Sequence, residues 1–273
     1  MADRRGDVTG AQLGPTPVPG GPASADPHGA DGRTYSRRRL HGRVVYELGG
    51  RILKGAWPPG ATLPTEAELG GELGVSRSAL REAIKTLAAK GLVETRPKIG
   101  TRVRPRELWH MLDPDVLAWR AAAPDVHHLA TELLCVRRIV EPEAAAIAAA
   151  RATEEDIAAI EAAWQAMVAA GNDPEATVGP DVRLHLAILQ ATHNDFLVSL
   201  GALTETAMAA SIELSSTHPG APETALPAHA AVVDAIRSRS PDAARAAMAA
   251  LLDKTAETIA GATDPAAPRS GDP

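Results

Sequence analysis

The chain of 273 residues, 45% apolar and 23% charged, can bury a core of one or two domains and is neither a wholly disordered chain nor a large multidomain enzyme. Aromatic residues make up only 3%, alanine fills the deficit in favour of packed helices, and the single cysteine, Cys135, excludes an intramolecular disulfide. The net charge of −6 argues against nucleic acid only until it is mapped: between Arg33 and Arg106 sixteen Lys/Arg face six Asp/Glu, a balance of +10, against −16 elsewhere.

Residues 1–36 are rich in Gly, Pro, Ala and Asp without a period, so a disordered tail is expected there, and another at 263–273. The first thirty residues have no apolar stretch of the signal-peptide kind, and no run reaches the roughly 18 apolar residues of a membrane span, so a cytoplasmic protein without a membrane partner is expected. From Leu40 onward the pattern is helical, with Leu40, Val44, Leu48 and Ile52 four apart and a stop at Gly55 and Pro58-Pro59-Gly60. Thr65 is placed to cap a short helix that runs through Leu73, with acidic residues in its first turn. After the break at Gly74, Ser76 caps a helix whose apolar face is Ala79, Leu80, Ala83, Ile84, Leu87 and Ala88. Two short alternating segments, Leu92-Val93-Glu94-Thr95 and Thr101-Arg102-Val103-Arg104, flank the turn Arg96-Pro97-Lys98-Ile99-Gly100. Three helices and a ribbon describe a winged helix-turn-helix over 38–106, its helix-turn-helix at about 65–84.

The segment 107–124, with Trp109, Met111, Leu112, Val116, Leu117 and Trp119, is too apolar for a free linker and is expected to pack as a short helix against one domain. From 125 to 262 the pattern is all helix, giving a mainly α protein with a six- to seven-helix second domain. Its third helix is expected to start near Pro180-Asp181, a loop falls at His218-Pro219-Gly220, and the last two helices are read at Ala228–Ile236 and Ala243–Ile259.

Two constellations bear chemistry. A recognition helix offers its N-terminal residues to the major groove, where Arg can contact guanine bidentately and Ser can reach phosphate or a base edge. Arg77 and Arg81, four apart, share a face opposite the Leu80/Ile84/Leu87 stripe, while Arg96 and Lys98 sit at the wing turn, with Gly100 permitting close backbone approach. Leu63-Pro64-Thr65-Glu66, Leu69, Gly74-Val75-Ser76-Arg77, Leu80-Arg81-Glu82-Ala83 and Lys90-Gly91-Leu92-Val93 closely resemble the GntR superfamily of bacterial repressors. The resemblance implies DNA contacts by Arg77 and Arg81 and a candidate set of Thr65, Glu66, Ser76, Arg77, Ser78, Arg81, Arg96, Lys98 and Gly100. Many members have Arg at the position of Ala67, so the half-site is expected to differ.

In the second half, Asp181 and His185 stand at i and i+4 on one helical face, at metal-ligand separation, although an acidic first turn beside a buried, hydrogen-bonded His gives the same pattern. Leu133 through Arg137, Ile139, Glu141, Thr153-Glu154-Glu155-Asp156-Ile157, Asp181 with Leu184-His185, and Pro227-Ala228-His229 resemble the FCD effector domain of the FadR branch. That resemblance implies a divalent metal, with zinc, nickel and manganese not distinguished, held by Asp181, His185 and His229. The usual fourth ligand falls on Leu251, which lowers the expected affinity. It also implies that Arg137 clamps an effector carboxylate, the alternative being an ion pair with Glu141 one turn on; Cys135 is read as core.

Segments 108–119 and 99–103 resemble those of galactonate-operon repressors, which suggests a sugar acid such as galactonate or gluconate. The expected protein is a homodimeric, sequence-specific transcriptional regulator, a repressor relieved by a small carboxylate, and not an enzyme. Its rivals are a metal-dependent enzyme using Asp181, His185 and His229, and an architectural DNA binder without an effector.

Overall fold

The computed structural model describes residues 40–171, 173–216 and 221–262; the expected tails and the expected loop at 218–220 lie outside them. The N-terminal part consists of α1 (Leu40–Leu53), α2 (Glu66–Leu73), α3 (Arg77–Ala89), β1 (Val93–Arg96) and β2 (Gly100–Val103). The turn between α1 and α2 adds one bridge, Thr62 to Arg102, a third edge for the ribbon that the sequence does not signal. Val44, Val45, Leu48, Ile52, Leu69, Leu80, Leu87, Leu92 and Val103 make one buried cluster. Each such side chain contributes roughly 1.5–3 kcal/mol by leaving water.

The segment after the wing forms a single 3₁₀ turn (Arg106–Leu108) and α4 (Pro114–Ala121), capped by Asp113, whose carboxylate accepts from the backbone N–H groups of Asp115 and Val116. It packs against both neighbours rather than one. Trp109, Val116 and Trp119 belong to the core of the winged helix, whereas Leu117 joins Leu129, Leu133, Val182 and Met208. The indole of Trp119 lies against Gly49 of α1, where a Cβ would stand 2.5 Å from the ring. Buried Lys90, the residue after α3, reaches Asp113 at 2.8 Å and Asp115 at 2.7 Å and so ties the end of the recognition helix to α4.

The remaining helices are α5 (Val126–Arg151), α6 (Glu154–Ala170), α7 (Pro174–Gln190), α8 (Asp195–Ser216), α9 (Ala221–Arg237) and α10 (Pro241–Ala262). They enclose a core of small residues and branched aliphatics, among them Ala145, Ala148, Ala149, Ile160, Met167, Leu184, Ile188, Val232 and Met248. Two boundaries differ from the sequence reading. Helix α7 starts at Pro174, six residues before Pro180, because Asp173 caps it and Pro174 occupies its first turn; Pro180 is internal and buried. Likewise α9 begins at Ala221 and runs through Pro227. A proline removes one i→i−4 hydrogen bond from a helix, and packing in this bundle outweighs that loss at buried Pro142 and Pro180, whereas Pro227 is exposed. Cys135 is exposed, a correction with a simple cause: two residues from buried Arg137, it lies about 200° around α5 on the outer face. Among the described residues no single helix is long and apolar enough to cross a membrane.

Candidate functional site

In the N-terminal part, the caps aim the charges. Thr65 and Glu68 form a reciprocal capping box at the start of α2, and Ser76 accepts from the backbone N–H of Ala79 at the start of α3. Gly74, at φ +64, makes the left-handed turn between the two helices. Leu80, Ala83, Ile84 and Leu87 are buried, which leaves Ser76, Arg77, Ser78 and Arg81 exposed together at the N-terminal end of α3. Arg81 Nε donates to Glu66 Oε2 at 2.8 Å, so two candidate DNA-facing residues are paired with each other in the free chain. Arg77 has no such partner among the described residues. The wing pairs Arg96 with Gly100, and its turn places Lys98 at φ +65 and Gly100 at φ +95. Arg96, Lys98 and Gly100 are all exposed, with Arg96 held to Glu94 at 2.9 Å.

The second constellation is buried. Asp181 and His185 from α7 and His229 from α9 bring one ligand atom each within 4.8 Å of the others. Asp181 Oδ1 is 3.2 Å from His185 Nε2 and 3.5 Å from His229 Nε2, and the two imidazoles meet edge to face at 5.7 Å between centroids. His229 Nδ1–H donates to the carbonyl of Ala225 at 2.9 Å, which leaves the Nε2 lone pair facing Asp181. His185 Nδ1–H points to Glu141 Oε2 at 2.7 Å, and its Nε2 accepts from Arg137 Nη2 at 3.0 Å. A guanidinium can only donate, so this contact needs an unprotonated Nε2, whereas the carboxylates of Glu141 and Asp181 favour the protonated ring.

The charges around the site reinforce one another. Burial would raise the Glu141 carboxyl, but the charges of Arg137 and His185 and hydrogen bonds from both hold it down at about 2. For Asp181 burial also pushes upward, and the neighbouring His229 and His185 outweigh it, so the group stays an anion well below the usual carboxylate range. Burial, together with the Arg137 charge, lowers the proton affinity of His185; Glu141 and hydrogen bonds to Asp181 and Glu141 raise it further than that.

These residues suit a cation. Asp181 Oδ1 and His229 Nε2 are buried acceptors without a hydrogen-bond donor, and acceptors that converge at 3.5 Å repel unless a positive charge lies among them. Such separations match the ligand edges of a divalent metal bound at about 2.0–2.2 Å. Glu141 holds its carboxylate against His185 Nδ1, a contact sequence reading missed because it treated Glu141 only as the partner of Arg137. Arg137 is fully engaged there: Nε donates to Glu141 Oε1 at 2.7 Å, and Nη2 occupies the His185 lone pair that a metal would need.

Beside the triad opens a cavity that reaches solvent, walled by Asp181, His229, Met167, Thr177, Ser215, Ser216, Leu251, Lys254, Thr255 and Thr258. Leu251 stands in this wall, so the side that would complete the ligand set is apolar. Arg137 does not line this cavity; it borders a smaller one with Glu141, Leu133 and Met208.

Comparison with known proteins places this architecture. The bacterial regulatory proteins of the gntR family match residues 40–103, and the FCD domain family matches residues 132–254. Over 212 residues, 77% of this chain and 92% of the relative, it is 39% identical to the galactonate operon transcriptional repressor of Escherichia coli (strain K12). It is 38% identical over 219 residues to the uncharacterized HTH-type transcriptional regulator YieP of the same strain, covering 80% and 94% of the two chains. The Uxu operon transcriptional regulator, also of that strain, is 38% identical over 162 residues, 58% of this chain and 60% of the relative. A solved structure titled "Lar controls the expression of the Listeria monocytogenes agr system and mediates virulence" shares the fold with a TM-score of 0.51 at 19% identity, over 83% of this chain and 99% of that one. The chain belongs to the gntR family of bacterial regulatory proteins. It is a DNA-binding transcriptional regulator with an FCD effector domain.

Proposed function

We propose that this regulator acts in the cytoplasm as a homodimer whose two winged helices, residues 38–106 of each chain, read a short palindrome about one helical turn apart. Ser76, Arg77, Ser78 and Arg81 enter the major groove, Thr65 and Glu66 approach the backbone at the start of α2, and Arg96, Lys98 and Gly100 bring the wing to the flanking groove. The Arg81–Glu66 pair opens or is shared with a base when DNA arrives. Exposed Val136 and Ile139 on α5 support the dimer, since a second copy would take them out of water.

The effector is a small carboxylic acid that binds in the cavity of the helical domain, 125–262, and repression is relieved when it does. The convergence of Asp181 Oδ1 and His229 Nε2, both buried and without donors, at the wall of a cavity supports this reading above all else. Asp181, His185 and His229 would hold a zinc, nickel or manganese ion there, which when bound supplies a Lewis-acidic site for a carboxylate oxygen. Relatives named for galactonate and Uxu operons favour a sugar acid such as galactonate or gluconate. A ligand of this kind alters DNA binding only to the extent that it prefers one arrangement of the domains, and the bridging segment 107–124 is the element both domains share.

Two measurements test the reading. Elemental analysis of purified protein should find about one divalent ion per chain, and His229→Ala should remove it; a wild type free of metal overturns the metal assignment. Operator binding should fall when galactonate or gluconate is titrated in at fixed salt, and a regulator that binds random and upstream DNA equally would instead be an architectural protein.

A further inference from the structure

Five hydroxyls line the cavity, and four of them, all but that of Ser216, spend their proton inside their own helix. Thr177 Oγ1 donates to the carbonyl of Asp173 at 2.7 Å, Ser215 Oγ to Ile212 at 2.9 Å, Thr255 Oγ1 to Leu251 at 3.0 Å and Thr258 Oγ1 to Lys254 at 3.1 Å. A hydroxyl whose hydrogen is committed presents only lone pairs to a ligand. The wall is therefore a set of acceptors from three helices, α7, α8 and α10, and what such a wall recognises is a ligand bearing several O–H donors. Among the described residues the same wall holds the cationic side chain of Lys254, on the helix that also contributes Thr255 and Thr258. The guanidinium of Arg137 does not line this wall and is held by Glu141 and His185.

We infer that the cavity is built for a polyhydroxylated monocarboxylate, with Thr177, Ser215, Thr255 and Thr258 accepting from the ligand's hydroxyls and Lys254, not Arg137, supplying the protein's positive charge to it. This rests on the proposal that the cavity takes a carboxylate, and it goes further in naming which side chains set the selectivity. The acceptor wall separates a polyol acid from a short hydroxy acid of equal charge, because an apolar chain placed against it leaves desolvated acceptors without donors. Lys254 at the cavity rim is a flexible point charge that does not demand a bidentate pose.

Calorimetric titration of the full-length protein, both zinc-supplemented and chelator-treated, with gluconate, galactonate and 2-hydroxyhexanoate decides the matter. All three acids have six carbons and one carboxylate, and they differ in hydroxyls. The expected result is at least tenfold tighter binding of one or both hexonates than of 2-hydroxyhexanoate, with that preference lost in the shape-conserving double variant Thr255→Val/Thr258→Val. Lys254→Met should weaken every acid that binds by about tenfold. Equal binding of the three acids to the wild type, or a preference that survives in the double variant, overturns the acceptor wall and leaves the carboxylate reading standing. Undiminished binding in Lys254→Met overturns the role of that lysine alone. Failure of all three acids to bind, with and without zinc, overturns the carboxylate reading and this inference with it. Thermal unfolding of each variant, expected to match the wild type because these side chains line open space, guards against loss of the fold.

Discussion

The two ends of this regulator place their charges in opposite ways. At the winged helix, an apolar core built on Leu48, Leu69, Leu80 and Leu87 supports arginines and serines that stand in water and make few demands on it. In the helical domain, Arg137, Glu141, Asp181, His185 and His229 are themselves buried, each stabilised by the next. Exposed charges can be exchanged with little effect on folding. Buried ones are coupled, because removing any one strands its neighbours in a medium that solvates charge poorly.

That contrast can be broken or sharpened by substitution. The largest effect should come from Glu141→Ala, which leaves the Arg137 guanidinium buried without its anion and the His185 ring without its orienting acceptor. A loss of about 3–5 kcal/mol is expected in urea unfolding; a loss under about 1 kcal/mol would mean that water replaces the carboxylate. Gly49→Ala follows, since its methyl collides with the Trp119 indole where α1 meets α4. Overpacking of this kind costs about 1–3 kcal/mol. Because α4 also touches the helical core through Leu117, the effector should lose part of its influence on operator affinity in this variant, measured by DNA binding with and without hexonate.

Arg77→Ala tests the other side of the comparison. Stability should change by no more than about 0.5 kcal/mol, while discrimination between operator and random DNA falls by about 1–3 kcal/mol. Unchanged discrimination would remove Arg77 from base readout. The smallest effect concerns Asp156, the carboxylate of the capping box at the start of α6. Its proton affinity is lowered by the backbone N–H of Thr153, burial opposing, and further by the Thr153 hydroxyl and His193. A carboxyl held lower in the folded chain stabilises it above the ordinary carboxylate range and ceases to do so as pH falls through the lowered value. The wild type should therefore exceed Asp156→Asn by about 0.5–1 kcal/mol near pH 7, a margin that shrinks as thermal unfolding is repeated toward pH 3.

The patterns legible in the chain were the local ones. Thr65 and Ser76 cap because a short side-chain oxygen before an apolar-periodic run can do little else, and the ribbon follows from alternation around a turn. Asp181 and His185 at i and i+4 were likewise bound to share a face. Pro180 misled the reading of α7, since a proline ordinarily starts or ends a helix and only burial against neighbouring helices keeps it inside one. Cys135 misled it by composition, being an apolar residue type on the outer face of α5.

Local pattern in the chain was thus enough for the fold class, the helix starts at Thr65 and Ser76, the arginines on the outer face of α3 and the pairing of one aspartate with one histidine. Each of these depends on residues within a turn or two of one another. Tertiary packing was needed to bring His229, named until then by resemblance alone, onto that pair, to let Glu141 bind Arg137 and His185 at once, and to line the cavity with Leu251 and Lys254 rather than Arg137. Those relations join α5, α7, α9 and α10, and a helix's own periodicity specifies which face is buried but not which side chain of another helix it will meet.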